Sequence, residues 1–83
     1  MRKPKQALLV VWEDSNVTRG WHDQDDTTYH PSTVMTIGWL IHENRNCITV
    51  ASSAIFQKGN QQVTDPMTIP RGCIQSMAWI DMP

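Results

Sequence analysis

Arg71 and Gly72, directly after Pro70, are the residues of this 83-residue chain best suited to grip an anion or a base. A guanidinium is a planar, permanently charged fork. Asn46 offers both a donor and an acceptor, and Arg45 beside it offers a second fork. Such a set recognises phosphates and base edges, which points to nucleic acid or a nucleotide. A structural reading competes with it, since Pro70 fixes φ and Gly72 permits a tight bend. Trp21, next to Gly20 in polar company, is the aromatic best placed to stack on a base. Trp12 and Trp39 lie in apolar runs and read as core or interface, and Trp79 completes a high count for so small a chain.

Other chemistry is weaker in the sequence. His22, Asp23, Asp25, Asp26, Tyr29 and His30 could gather into a metal or acid–base site, because two histidines and a carboxylate suffice for catalytic zinc. Their spacing matches no metal motif, and a solvated polar loop explains the same residues. Cys47 and Cys73 are too few for a zinc site and sit in apolar runs, where thiols act as small apolar fillers. A disulfide between them is the alternative. Ser52, Ser53 and Ser76 lack a nucleophile-elbow context, and no Cys–His pairing is readable. The expectation is a protein that is not an enzyme and needs no metal or cofactor.

Charge narrows the partners. Seven Lys and Arg stand against eight Asp and Glu, so the basic excess of a duplex-binding protein is absent. Arg2, Lys3 and Lys5 crowd into a basic arm over residues 1–6, read as a solubilising tail or as a contact for phosphate. Residues 7–83 form one domain. No signal peptide precedes it, because Ala7 to Val11 is too short for an apolar leader core. No stretch approaches the roughly 20 apolar residues of a membrane helix. With unpaired cysteines, these features predict a cytoplasmic protein. The sequon Asn16-Val17-Thr18 carries no weight without secretion.

The elements that must position these groups are strands. Ala7 to Trp12 is a short β-branched run ended by Glu13-Asp14-Ser15-Asn16. Met35, Ile37, Trp39 and Ile41 alternate with Thr36, Gly38, Leu40 and His42, the period of a pleated strand. Asn44 and Asn46 supply a turn, after which Ile48 and Val50 resume the alternation, with Ser52 to Phe56 continuing around a bend. Lys58 to Gln62 is a second turn. Met67 to Ile69 makes a short strand stopped by Pro70, and Ile74 to Ile80 makes the last. Five short strands with such turns predict an all-β fold, a small barrel of strongly bent antiparallel sheet. Gly38 inside a strand marks the bend. Residues 13–31 form a long acidic loop of the length that is often functional.

Met67 to Met77, with its Ile69-Pro70-Arg71-Gly72 core, resembles the second signature of Sm and Sm-like proteins, and Gly38 to Val50 resembles the first. Val10 to Ser15, Gly20-Trp21, Thr36 to Leu40 and Ile69 to Ile74 together resemble a group of small Sm-like proteins of apparent phage origin. Two departures are plain: Pro70 stands between the apolar strand residue and Arg71-Gly72, and the turn acid and amide of the first signature have only approximate counterparts in His42 or Glu43 and Asn46. The resemblance implies a five-stranded SH3-like barrel that closes into a homo-oligomeric ring by edge-strand pairing. It further implies a phage protein in the cytoplasm of a bacterial or infected cell, binding RNA or single-stranded nucleic acid. Sequestration of nucleotide signals between subunits, and a protein-assembly role without ligand, are the alternatives.

Overall fold

A computed structural model describes residues 6–17, 19–25 and 29–81. The expected basic arm lies outside them except for Gln6, which belongs to the first strand.

The chain is all-β. Strands β1 (Gln6–Asp14), β2 (Ser32–Glu43), β3 (Cys47–Ala51), β4 (Ser53–Ala54), β5 (Val63–Thr64), β6 (Met67–Pro70) and β7 (Ile74–Asp81) follow in order, with a 3₁₀ turn at Arg71–Cys73. Five of them form an antiparallel sheet in the order β6-β3-β2-β1-β7. These are the five strands the alternation predicts. The stretch from Ser52 departs from expectation. Instead of prolonging β3, Ser53–Ala54 pairs with Val63–Thr64 as a separate hairpin, closed at its tip by a bridge between Gln57 and Asn60. Gly59 there takes φ +80°, a value only glycine adopts cheaply.

The apolar alternation works as a sorting rule. Leu8, Val10 and Trp12 of β1 share a face with Thr36 and Val34 of β2 and with Trp79, Met77 and Ile74 of β7. That face closes on Leu40, Ile48, Val50 and Ile69 to make the core, with Val34, Cys73 and Ile74 packed against it. Val10, Ile48, Val50 and Ile69 are fully buried. Each is worth about 1.5–3 kcal/mol of transfer free energy. Trp12 is core, as expected, and its indole N–H donates to Thr36 Oγ1 at 2.9 Å. Trp39 points the other way and meets Phe56 of the hairpin edge-on at 5.7 Å.

Gly38 explains how one strand serves two neighbours. Residues 32–38 of β2 pair with β1, and residues 39–43 pair with β3. A Cβ at Gly38 would sit 2.7 Å from the Ala51 carbonyl oxygen, so the handover demands glycine. A bulge between Leu40 and His42 then adds a residue to β2 and re-aims its end. A second bulge, with Gln75 as the extra residue, lies on β7 opposite Val11 and Trp12.

Hydrogen-bonded pairing ends at β6 on one side and β7 on the other. Large apolar side chains on the core-facing side of these two edges stay open to solvent: Met67 is 43% exposed, Met77 44% and Trp79 39%.

Candidate functional site

Four residues of the predicted set, Arg45, Asn46, Arg71 and Gly72, lie in two turns that dock at one corner of the sheet. The β2–β3 turn is built by Asn44, whose Oδ1 accepts from the backbone N–H of Asn46 at 2.8 Å and of Cys47 at 2.9 Å. This is the local side-chain bond that makes Asn a turn residue. The 3₁₀ turn after β6 docks against it. The Arg71 backbone N–H donates to the Asn46 carbonyl at 2.9 Å, and Arg71 Nε donates to the Asn44 carbonyl at 2.6 Å. Pro70, paired with Cys47 as the last residue of β6, sets up the approach with φ −61° and ψ 137°. Thus Arg71 is fastened to the turn that carries Asn46 and Arg45, its side-chain bond spanning 27 residues of sequence.

Gly72 belongs to the same turn, but not for the expected reason. It does not adopt a left-handed φ, and a Cβ on it would meet nothing within 4 Å. The bend needs no glycine there, so Gly72 leaves open space beside Arg71 instead of relieving strain.

Arg71 also borders a cavity of about 290 Å³ that sequence reasoning did not assemble. Leu8, Leu40 and Ile48 of the core contribute apolar lining, Met77 and Trp79 of edge strand β7 line it too, and Glu43 and Arg71 supply its charged groups. The exposed lining is somewhat more polar than apolar, and convergent polar groups are what orient a ligand in a small-molecule site. Glu43 is one of the two approximate counterparts of the first signature's turn acid, and it directly precedes the Asn44 turn to which Arg71 is bonded. Trp79 could have been found from strand alternation, which sets it opposite Leu8 on the core side.

Trp21 lies elsewhere. It is fully exposed and lines a shallow concavity with His22, Asp23 and Asp25, separate from the Arg71 cavity. Among the described residues this loop makes short-range bonds, His22 Nε2 with the Arg19 carbonyl, Tyr29 Oη to the Asp23 carbonyl and His30 Nδ1 with the Pro31 carbonyl, and one longer bond from Asn16 Nδ2 to the His30 carbonyl. Among the described residues, no group of three His, Cys, Asp or Glu is gathered as a metal would require; Asp26 lies outside them. Cys47 and Cys73 are free thiols, each half-buried. Among the described residues no helix is long and apolar enough to cross a membrane. Comparison with protein-family models, with curated proteins and with solved structures finds no match.

Proposed function

We propose that this chain is a non-enzymatic, Sm-like subunit that assembles with copies of itself and binds RNA or single-stranded nucleic acid at the Arg71 corner. The observation that carries the reading is the double clasp of Arg71 on the β2–β3 turn. Its backbone N–H and its Nε are both spent on carbonyls of Asn46 and Asn44. The guanidinium is thereby oriented in advance, with its remaining N–H donors in reserve. Pre-organised donors bind at lower entropic cost than free ones.

Two further features support it. Of the stretches that resemble Sm-like proteins, Val10 to Ser15 runs through the end of β1, Gly38 to Val50 spans the β2–β3 turn and Met67 to Met77 spans the β6–β7 turn, which suits such a fold, while Gly20-Trp21 lies in the loop between β1 and β2. Among the described residues each edge strand has one neighbouring strand, and Met67 on β6 and Met77 on β7 are exposed on the core-facing side. A sheet edge with apolar side chains is a template for another strand. Pairing β6 of one copy with β7 of the next would use both edges at once and close a cyclic homo-oligomer. The cytoplasm of a bacterial or phage-infected cell is the setting this reading implies.

Light scattering on the purified chain should give a mass several times that of one subunit. Fluorescence anisotropy with short labelled RNAs should show binding at low salt that weakens as salt rises. A monomer at every concentration, or no binding at low salt, would end the reading. The cavity beside Arg71 favours a second one, sequestration of nucleotide signals, because about 290 Å³ suits one base better than a polymer. Calorimetry with cyclic dinucleotides separates the two. A chain inert in both assays that co-purifies with another protein would instead be an assembly module.

A further inference from the structure

We infer that the cavity between β7 and the β2–β3 turn is a guanine pocket, with Glu43 and Arg71 reading the base and Trp79 stacking on it. The inference rests on the nucleic-acid or nucleotide reading above and names the base that reading leaves open.

The two charged residues of the pocket are of opposite sign. Arg71 Nε is fixed on the carbonyl of Asn44, and Glu43 is the residue just before Asn44 in the chain. Both line the same cavity of about 290 Å³. The pocket therefore offers an acceptor-only carboxylate and a donor-only guanidinium within one cavity. A ligand must offer donors to the one and acceptors to the other. Guanine does so: N1–H and N2–H₂ form a donor pair that matches a carboxylate in two bonds, while O6 and N7 form an acceptor pair that matches Arg. O6 is the atom next to both sets, so protein groups of one cavity can serve both. Adenine sets the N1 acceptor against the carboxylate and leaves one of its oxygens unmatched. Uracil has a single ring N–H between two carbonyls. Cytosine gives one amino donor beside an acceptor nitrogen.

The remainder of the lining fits a base and not a phosphate. Leu8, Leu40 and Ile48 back the cavity with side chains of the core that are almost closed to solvent, and Trp79 of the edge strand lines it at 39% exposure. A carboxylate in the same cavity repels phosphate, whereas it attracts the donor edge of guanine. That edge is used up in a duplex, so the pocket takes guanine only from a single strand or a free nucleotide.

Calorimetry on the full chain with GMP, IMP, AMP, CMP and UMP tests this. GMP should bind about ten- to a hundredfold more tightly than AMP, the range expected of one bidentate base contact. IMP, which lacks the 2-amino group, should fall between them. Glu43→Gln should erase the GMP preference while leaving weak binding that still depends on Arg71. Trp79→Ala should weaken every nucleotide and Trp79→Phe should largely restore it, with circular dichroism checking the fold of each variant. Equal affinity for GMP and AMP, or a GMP preference that survives Glu43→Gln, overturns the guanine assignment and leaves the parent reading in place. Failure of every nucleotide and every oligonucleotide overturns both.

Discussion

The Arg71 corner and the 15–31 loop hold similar raw material and do different things with it. Both have polar side chains, turn residues and an aromatic within reach. In the corner, side chains are fastened to distant backbone: Arg71 to Asn44 across 27 residues, with the β6–β3 pairing behind it. Among the described residues of the loop, the bond from Asn16 to the His30 carbonyl spans 14 residues, and those of His22, Tyr29 and His30 span six or fewer. A binding constellation needs its groups fixed before the ligand arrives, and long-range fastening on a sheet provides that where local bonds do not. Residue type alone therefore misleads: the most exposed tryptophan is a weaker candidate than the half-covered one on β7.

The sharpest way to break the comparison is to disturb the sheet beneath the corner. Gly38→Ala places a Cβ 2.7 Å from the Ala51 carbonyl oxygen, a backbone atom that cannot swing away. The strain should cost about 1–3 kcal/mol, a fall in melting temperature of roughly 5–20 °C for a domain of this size. Because β2 leads straight into the Asn44 turn, nucleotide affinity should fall with it. A melting point unchanged by the substitution would mean that the handover from β1 to β3 is not built as described.

Asn44→Ala acts on the corner alone. It removes the Oδ1 that accepts from Asn46 and Cys47, two exposed bonds worth about 0.5–1.5 kcal/mol each. Stability should drop by about 1–2 kcal/mol in thermal melts, and affinity should drop further, because the carbonyl that holds Arg71 Nε belongs to the same residue. Asn44→Asp keeps the acceptor and should recover most of the stability. If Ala and Asp behave alike, the turn is not what orients Arg71.

How much of this was legible depends on whether the cause is local. Period two in Met35 to Ile41, and again in Ile48 and Val50, is a direct image of which face is wet, so the strands could be read. The Asn44–Asn46 turn could be read for the same reason. Gly38 could be recognised as a bend but not explained, since its obstacle is Ala51, thirteen positions away and adjacent only through register. The β4–β5 hairpin has two-residue strands, too short to carry a period. The cavity draws on β1, β2, β3, β7 and the 3₁₀ turn at once. Its two charged residues, Glu43 and Arg71, are a turn acid and a corner arginine in the sequence, and only the docking of the two turns brings them to one cavity. The glycine of Arg71-Gly72 is the converse lesson, a residue whose structural excuse in the sequence is not needed by the backbone.

The smallest expected effect is the one that sharpens the contrast most. Trp21→Ala removes a side chain that is fully exposed and packs on nothing that the core depends on. Such a change should alter stability by no more than about 0.5 kcal/mol. If the corner is the site, nucleotide affinity should also stay within about twofold of the parent, since base stacking there is assigned to Trp79. Stacking on an aromatic is worth about 1–3 kcal/mol per base when the ring is truncated. A tenfold or greater loss on Trp21→Ala, with Trp79→Ala silent, would therefore move the stacking role from the fastened corner to the locally bonded loop. It would show that a loop can be ordered by its ligand where the sheet is ordered in advance.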